Sequence, residues 1–85
     1  MKKYKINKGF IIQKLGKKAV IFDGEKSVLF TFNETATFIF QKIKLGWEKK
    51  RIIDSVAKSF SVKRETAQRD ITKLIYELKA KKIIV

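Results

Sequence analysis

The stretch that most limits the folds open to this chain is Ser27 to Ala36, Ser-Val-Leu-Phe-Thr-Phe-Asn-Glu-Thr-Ala. Val28, Leu29, Phe30, Thr31 and Phe32 are apolar, aromatic or β-branched, the residue types that suit a pleated, half-buried strand. Asn33 is a good helix N-cap because its side-chain oxygen can accept an orphan backbone N–H two or three residues on. Glu34 then places negative charge at the positive end of the new helix. A strand therefore stops where a helix starts. Strands lie before this junction and helices after it.

Upstream, Phe10 to Leu15 and Ala19 to Asp23 are two more short apolar-rich runs, and Ser27 to Phe32 is the third. Gly16-Lys17-Lys18 and Gly24-Glu25-Lys26 separate them, connections of hairpin length. The pattern predicts a meander of three antiparallel strands. In the third strand, alternation places Val28, Phe30 and Phe32 on one face and Leu29 and Thr31 on the other. The Phe32 side is expected to face the core. Downstream, a helix is expected from about Glu34 to Leu45, with Ala36, Ile39, Phe40 and Ile43 as its buried stripe and Gly46 as its stop. Phe38 falls off that stripe. A second helix follows from about Glu48 to Phe60 on Ile52, Ile53, Val56, Ala57 and Phe60. After a break at Ser61-Val62-Lys63, a third runs from about Arg64 to Lys81 on Ala67, Ile71, Leu74, Ile75 and Leu78. Thr66, Asp70, Lys73 and Glu77 occupy the shoulder of that last stripe. Ile83-Ile84-Val85 is too apolar for a free tail and is expected to pack back on the sheet or core. The fold class is α+β, a three-stranded antiparallel sheet followed by three helices in a winged helix-turn-helix-like arrangement, and residues 1–85 form a single domain.

Composition narrows the chemistry. The chain has no Cys and no His, so a disulfide framework, a thiolate metal site and the commonest general base are excluded. Its eight carboxylates are scattered, and no Gly-rich phosphate loop or metal-ligand spacing occurs. These features argue against an enzyme and imply no cofactor. No segment approaches the ~18 apolar residues of a membrane span, and the cytoplasm is the expected location. The net charge of +13 points to an acidic partner. Residues 1–45 carry ten basic and three acidic side chains and residues 46–85 eleven and five, so the excess is spread along the chain.

Two resemblances follow from these residues. Ser61 to Ile71 resembles the recognition-helix region of DeoR-type winged-helix repressors over about a dozen residues, which makes DNA binding the alternative reading. The longer one covers nearly the whole chain. A strand leading into Asn33-Glu34-Thr35-Ala36, followed by Ile39-Phe40, is similar to the Leu-Asn-Glu-x-Ala…Ile-Trp signature of the PqqD-like family, named for pyrroloquinoline quinone biosynthesis. Lys18 to Asp23 resembles that family's second strand, and Ala67…Asp70-Ile71…Leu74…Leu78 its long third helix. Phe32 replaces the usual Leu, Lys63 stands where a capping Asp is common, and Lys82 stands where Gly is usual.

This resemblance implies a RiPP recognition element, a non-catalytic peptide chaperone. Such a module binds the leader of a ribosomally made precursor peptide and delivers it to a separate maturation enzyme. That enzyme could be a radical enzyme, a leader protease of the lasso-peptide type, or a cyclase. The leader would add a strand along the third strand, at Val28, Leu29, Phe30 and Thr31, and place side chains against Thr66, Asp70, Lys73, Leu74 and Glu77. The charge of the domain suits an acidic leader. With no Pro and no charge between Val28 and Asn33, the same edge also admits a homodimer.

Overall fold

A computed structural model describes residues 4–84. Its strands are β1 (Phe10–Leu15), β2 (Lys18–Asp23) and β3 (Val28–Phe32), and its helices are α1 (Glu34–Lys44), α2 (Lys49–Ser59) and α3 (Arg64–Ala80). The expected elements all form, with ends shifted by one residue at most places. Lys18 joins β2, Ser27 lies in the turn at φ +55°, and Leu45, Glu48, Phe60 and Lys81 are caps outside their helices.

The sheet is an antiparallel meander of order β1-β2-β3. Leu15 pairs with Lys18, so Gly16 and Lys17 form a two-residue hairpin loop. Gly16 sits at φ +65°, which the tight turn requires and which a side chain would oppose. At the next turn the buried Asp23 carboxylate accepts hydrogen bonds from the amides of Glu25 (3.0 Å) and Lys26 (3.2 Å). Ala19, Ile21 and Asp23 face the helices, and their partners Phe32, Phe30 and Val28 share that face. Val28 is 40% exposed even so, because burial along β3 fades away from the junction. The reverse face carries Ile11, Phe22 and Leu29 in one cross-strand row.

The junction forms as its residues dictate. Asn33 Oδ1 accepts the Ala36 amide at 2.8 Å, and the Thr37 hydroxyl donates to the Phe32 carbonyl at 3.4 Å. Phe32 meets Phe40 edge to face, with ring centroids 5.6 Å apart. Ile39, Phe40 and Ile43 are buried as expected. Ala36 is only half-buried, and Thr37, which the apolar pattern left out, takes the place in the core expected for Ala36. Phe38, off the stripe, packs edge to face on Phe60 at 5.4 Å. Helices α2 and α3 pack through Ile52, Ile53, Val56, Ala67, Ile71 and Ile75, and Arg64 pairs with Asp54 between them. Ile83 and Ile84 are buried, and Ile84 bridges to Ile6, so the C-terminal segment does return to the core; Val85 lies outside the described residues.

Both departures in the third-helix region leave their mark without shortening the helix. Lys63 is the N-cap of α3 and makes no side-chain capping bond. Lys82 adopts φ +60°, a left-handed conformation that costs a side-chain-bearing residue about 1 kcal/mol. Two substitutions test this reading of the caps. Lys63→Asp supplies the missing acceptor and should stabilise the domain by about 1 kcal/mol, raising Tm by several degrees in a thermal melt. Asn33→Ala should cost about the same. A lower Tm for Lys63→Asp would contradict the assignment.

Candidate functional site

Among the described residues β3 pairs with β2 alone, so its other side is a sheet edge with backbone groups turned outward. Helix α3 runs past that edge without closing on it. No Cα of β3 comes within 8 Å of one in α3, although α1 contacts both β3 and α3. The space between them, bounded by α1, is the candidate groove.

One end of the groove is a cleft of about 330 Å³ lined by Asn33, Thr35, Ala36, Ile39, Asp70, Lys73, Leu74 and Glu77. Its floor is apolar, since Ile39 and Leu74 are buried. Its walls are polar, because Asp70, Lys73 and Glu77 are exposed along α3 at steps of three and four. At the other end Lys81 reaches across from the α3 C-cap, its Nζ 5.4 Å from the centroid of the Phe30 ring. The arrangement offers backbone donors and acceptors on one side, apolar floor below, and charged side chains opposite. Among the described residues no group of three or more Asp and Glu is placed to hold a metal ion, and no helix is long and apolar enough to cross a membrane.

The expected site residues divide into three sets. Asp70, Lys73, Leu74 and Glu77 come together on the cleft wall. Val28 and Phe30 sit on the helix-facing side of β3, outside the cleft itself, whereas Leu29 (60% exposed) and Thr31 point to the reverse face of the sheet. Their side chains are therefore on the wrong face to line a pocket, although their backbone remains part of the edge. Thr66 is half-buried one turn before Asp70 and does not line the cleft. Asn33, Thr35, Ala36 and Ile39 were not foreseen as cleft residues. Their signal was the cap itself: a helix that begins at the end of an edge strand must place its first turns beside that edge.

Three strands followed by three helices, with an open edge at β3 among the described residues, define a small winged-helix-like domain. The chain belongs to the PqqD family: the family model for coenzyme PQQ synthesis protein D matches residues 18–84. Two solved structures share the fold. TbiB1 in complex with the TbiA(beta) leader peptide superposes with a TM-score of 0.87 at 20% identity, over 94% of this chain and 93% of that one. Lasso peptide synthetase B1 complexed with the leader peptide gives 0.91 at 21% identity, over 99% of both chains. No curated protein sequence matches the chain.

Cleft occupancy makes a direct prediction. Leu74→Ser keeps most of the α3 stripe, yet puts a hydroxyl on the apolar floor and removes apolar contact area. A peptide that seats a side chain there should bind about tenfold more weakly in a calorimetric titration, with circular dichroism confirming the fold. Unchanged affinity in the folded variant would exclude the cleft from the binding surface.

Proposed function

We propose that this protein is a RiPP recognition element, a non-catalytic module that binds the leader of a ribosomally made precursor peptide and hands it to a separate maturation enzyme in the cytoplasm. The observation that carries this reading is the open edge of β3 held apart from α3. An extended peptide can pair with that edge as a fourth strand, and main-chain hydrogen bonds then supply affinity with little dependence on sequence. Alternate side chains of the added strand point into the groove, where Leu74 and Ile39 offer apolar surface and Asp70, Lys73 and Glu77 offer polar partners. Two fold relatives, each described as a complex with a leader peptide, support the same reading. The matching enzyme is a radical enzyme, a leader protease or a cyclase.

DNA binding is the weaker reading. The repressors that Ser61 to Ile71 resembles place a β-wing after the recognition helix. Here the three strands precede all the helices, and Ile83 and Ile84, just past α3, are buried in the core. The open edge also favours pairing between two copies of the chain, so a homodimer competes with the peptide for β3.

An amide NMR titration with the cognate leader tests the reading. Shift changes should concentrate on Ser27 to Phe32 and on Asp70 to Glu77. Changes confined to the outward face of α3, at Gln68, Arg69 and Thr72, would contradict it. Charge reversal at Lys73 should weaken leader binding several-fold. Phe30→Asp should do so too once its folding is verified, since a half-buried charge threatens a marginal domain. A protein that is dimeric alone should become a one-to-one complex with peptide in sedimentation velocity.

A further inference from the structure

The groove is electrically asymmetric. Its cleft end has two carboxylates, Asp70 and Glu77, around a single lysine, Lys73. The opposite end opens onto a corner of about 300 Å³ whose lining includes Lys8, Lys26, Lys81 and Lys82 with Asp23 and Glu25. Three chain segments are tied together to make this corner. The Asn7 amide donates to the Ile83 carbonyl (2.8 Å), the Asn7 side-chain amide to the Lys82 carbonyl (2.6 Å), and the Gly24 amide to the Gly9 carbonyl (3.2 Å).

The lysines of this corner have little to neutralise them. Among the described residues the ion pairs are Lys17 with Glu34 and Arg64 with Asp54, and none of the four corner lysines takes part. Asp23 is buried, with one carboxylate oxygen committed to the turn amides. Lys82 keeps its side chain at φ +60°, where a glycine would be free of strain. Lys81 links the corner to the groove by lying over Phe30.

Given the leader-binding reading above, on which this step rests, we propose that the Lys8, Lys26, Lys81 and Lys82 corner receives an acidic stretch of the bound peptide. This is the run of Asp or Glu residues that leaves the groove past Val28. The strand segment of the leader then supplies the pairing. The acidic flank supplies direction, because threading the peptide the other way would bring its carboxylates to Asp70 and Glu77. Surface charges act over about 10 Å at 0.1 M salt, so the exposed Lys8, Lys26 and Lys82 and the half-buried Lys81 attract the flank jointly and the effect fades as salt rises. This polarity comes from the two ends of the groove themselves, Asp70 and Glu77 at one and the four lysines at the other.

Fluorescence anisotropy on the whole chain tests the proposal with synthetic peptides that share one leader strand. One carries a run of glutamates on its N-terminal flank, one carries it on its C-terminal flank, and a twin carries glutamines. Glutamates on one flank only should tighten binding about tenfold at low ionic strength, and the gain should shrink in high salt. Lys26→Gln combined with Lys82→Gln should abolish most of that gain and leave the glutamine twin unaffected. Lys82→Gly, which relieves the backbone, should lose part of the gain while raising Tm, so misfolding cannot mimic the result. Equal affinity of all three peptides, or a gain that survives in the lysine variants, overturns the proposal while the groove reading stands. Failure of every peptide to bind the unaltered protein overturns both. Displacement of the glutamate peptide by short duplex DNA at equal charge would mark the corner as a phosphate-backbone site and overturn the peptide assignment.

Discussion

The architecture depends on the helix cap placed immediately after an edge strand. Asn33 turns the chain into α1 as soon as Phe32 has entered the core, and the Thr37 hydroxyl secures the Phe32 carbonyl. Because the chain leaves the sheet there and goes on as helices, no described strand covers the outer side of β3. Helix α1 then packs against the sheet, α2 and α3 pack on α1 and on each other, and α3 does not seal the edge. An unprotected edge is normally a liability, and charge, Pro or bulges usually blunt it. Here the five residues of β3 carry neither charge nor Pro, which fits an edge kept for pairing.

On the proposed reading, affinity and selectivity would come from different parts of the same groove. Paired with a peptide, the main chain of β3 would recognise extended backbone of any sequence and could not by itself choose a partner. Selectivity would fall to the side chains on α1 and α3 that line the cleft, and to the charge difference between the two ends. The total of +13 raises the encounter rate with any acidic molecule, but its spread along the chain gives it little specificity. The local imbalance at Lys26, Lys81 and Lys82 is more informative than the total.

The fold was largely legible in the sequence, because each element has its own local cause. Alternation marks the strands, Gly16 the first hairpin, Asn33 the cap, and the three- and four-residue apolar spacing the helices. The missed details are those that tertiary packing decides. Thr37 is buried because its hydroxyl finds the Phe32 carbonyl, a pairing that apolar periodicity does not register. The site was legible only in part. Asp70, Lys73, Leu74 and Glu77 share a helix face, so spacing alone could group them. Leu29 and Thr31 were grouped with the site by strand membership, although alternation sends their side chains to the reverse face. Asn33, Thr35, Ala36 and Ile39 join the cleft through the crossing of α1 and α3, which no local pattern encodes.

The most direct test of strand addition acts on the peptide's backbone and leaves its side chains alone. A scan of leader peptides, each with one amide nitrogen methylated, removes one main-chain donor at a time and can be read by anisotropy. If the leader lies along β3 as a fourth strand, affinity should fall about tenfold or more at every second position across the bound segment and stay nearly constant between. A loss recurring every three to four positions, or no positional dependence at all, would contradict strand pairing at this edge.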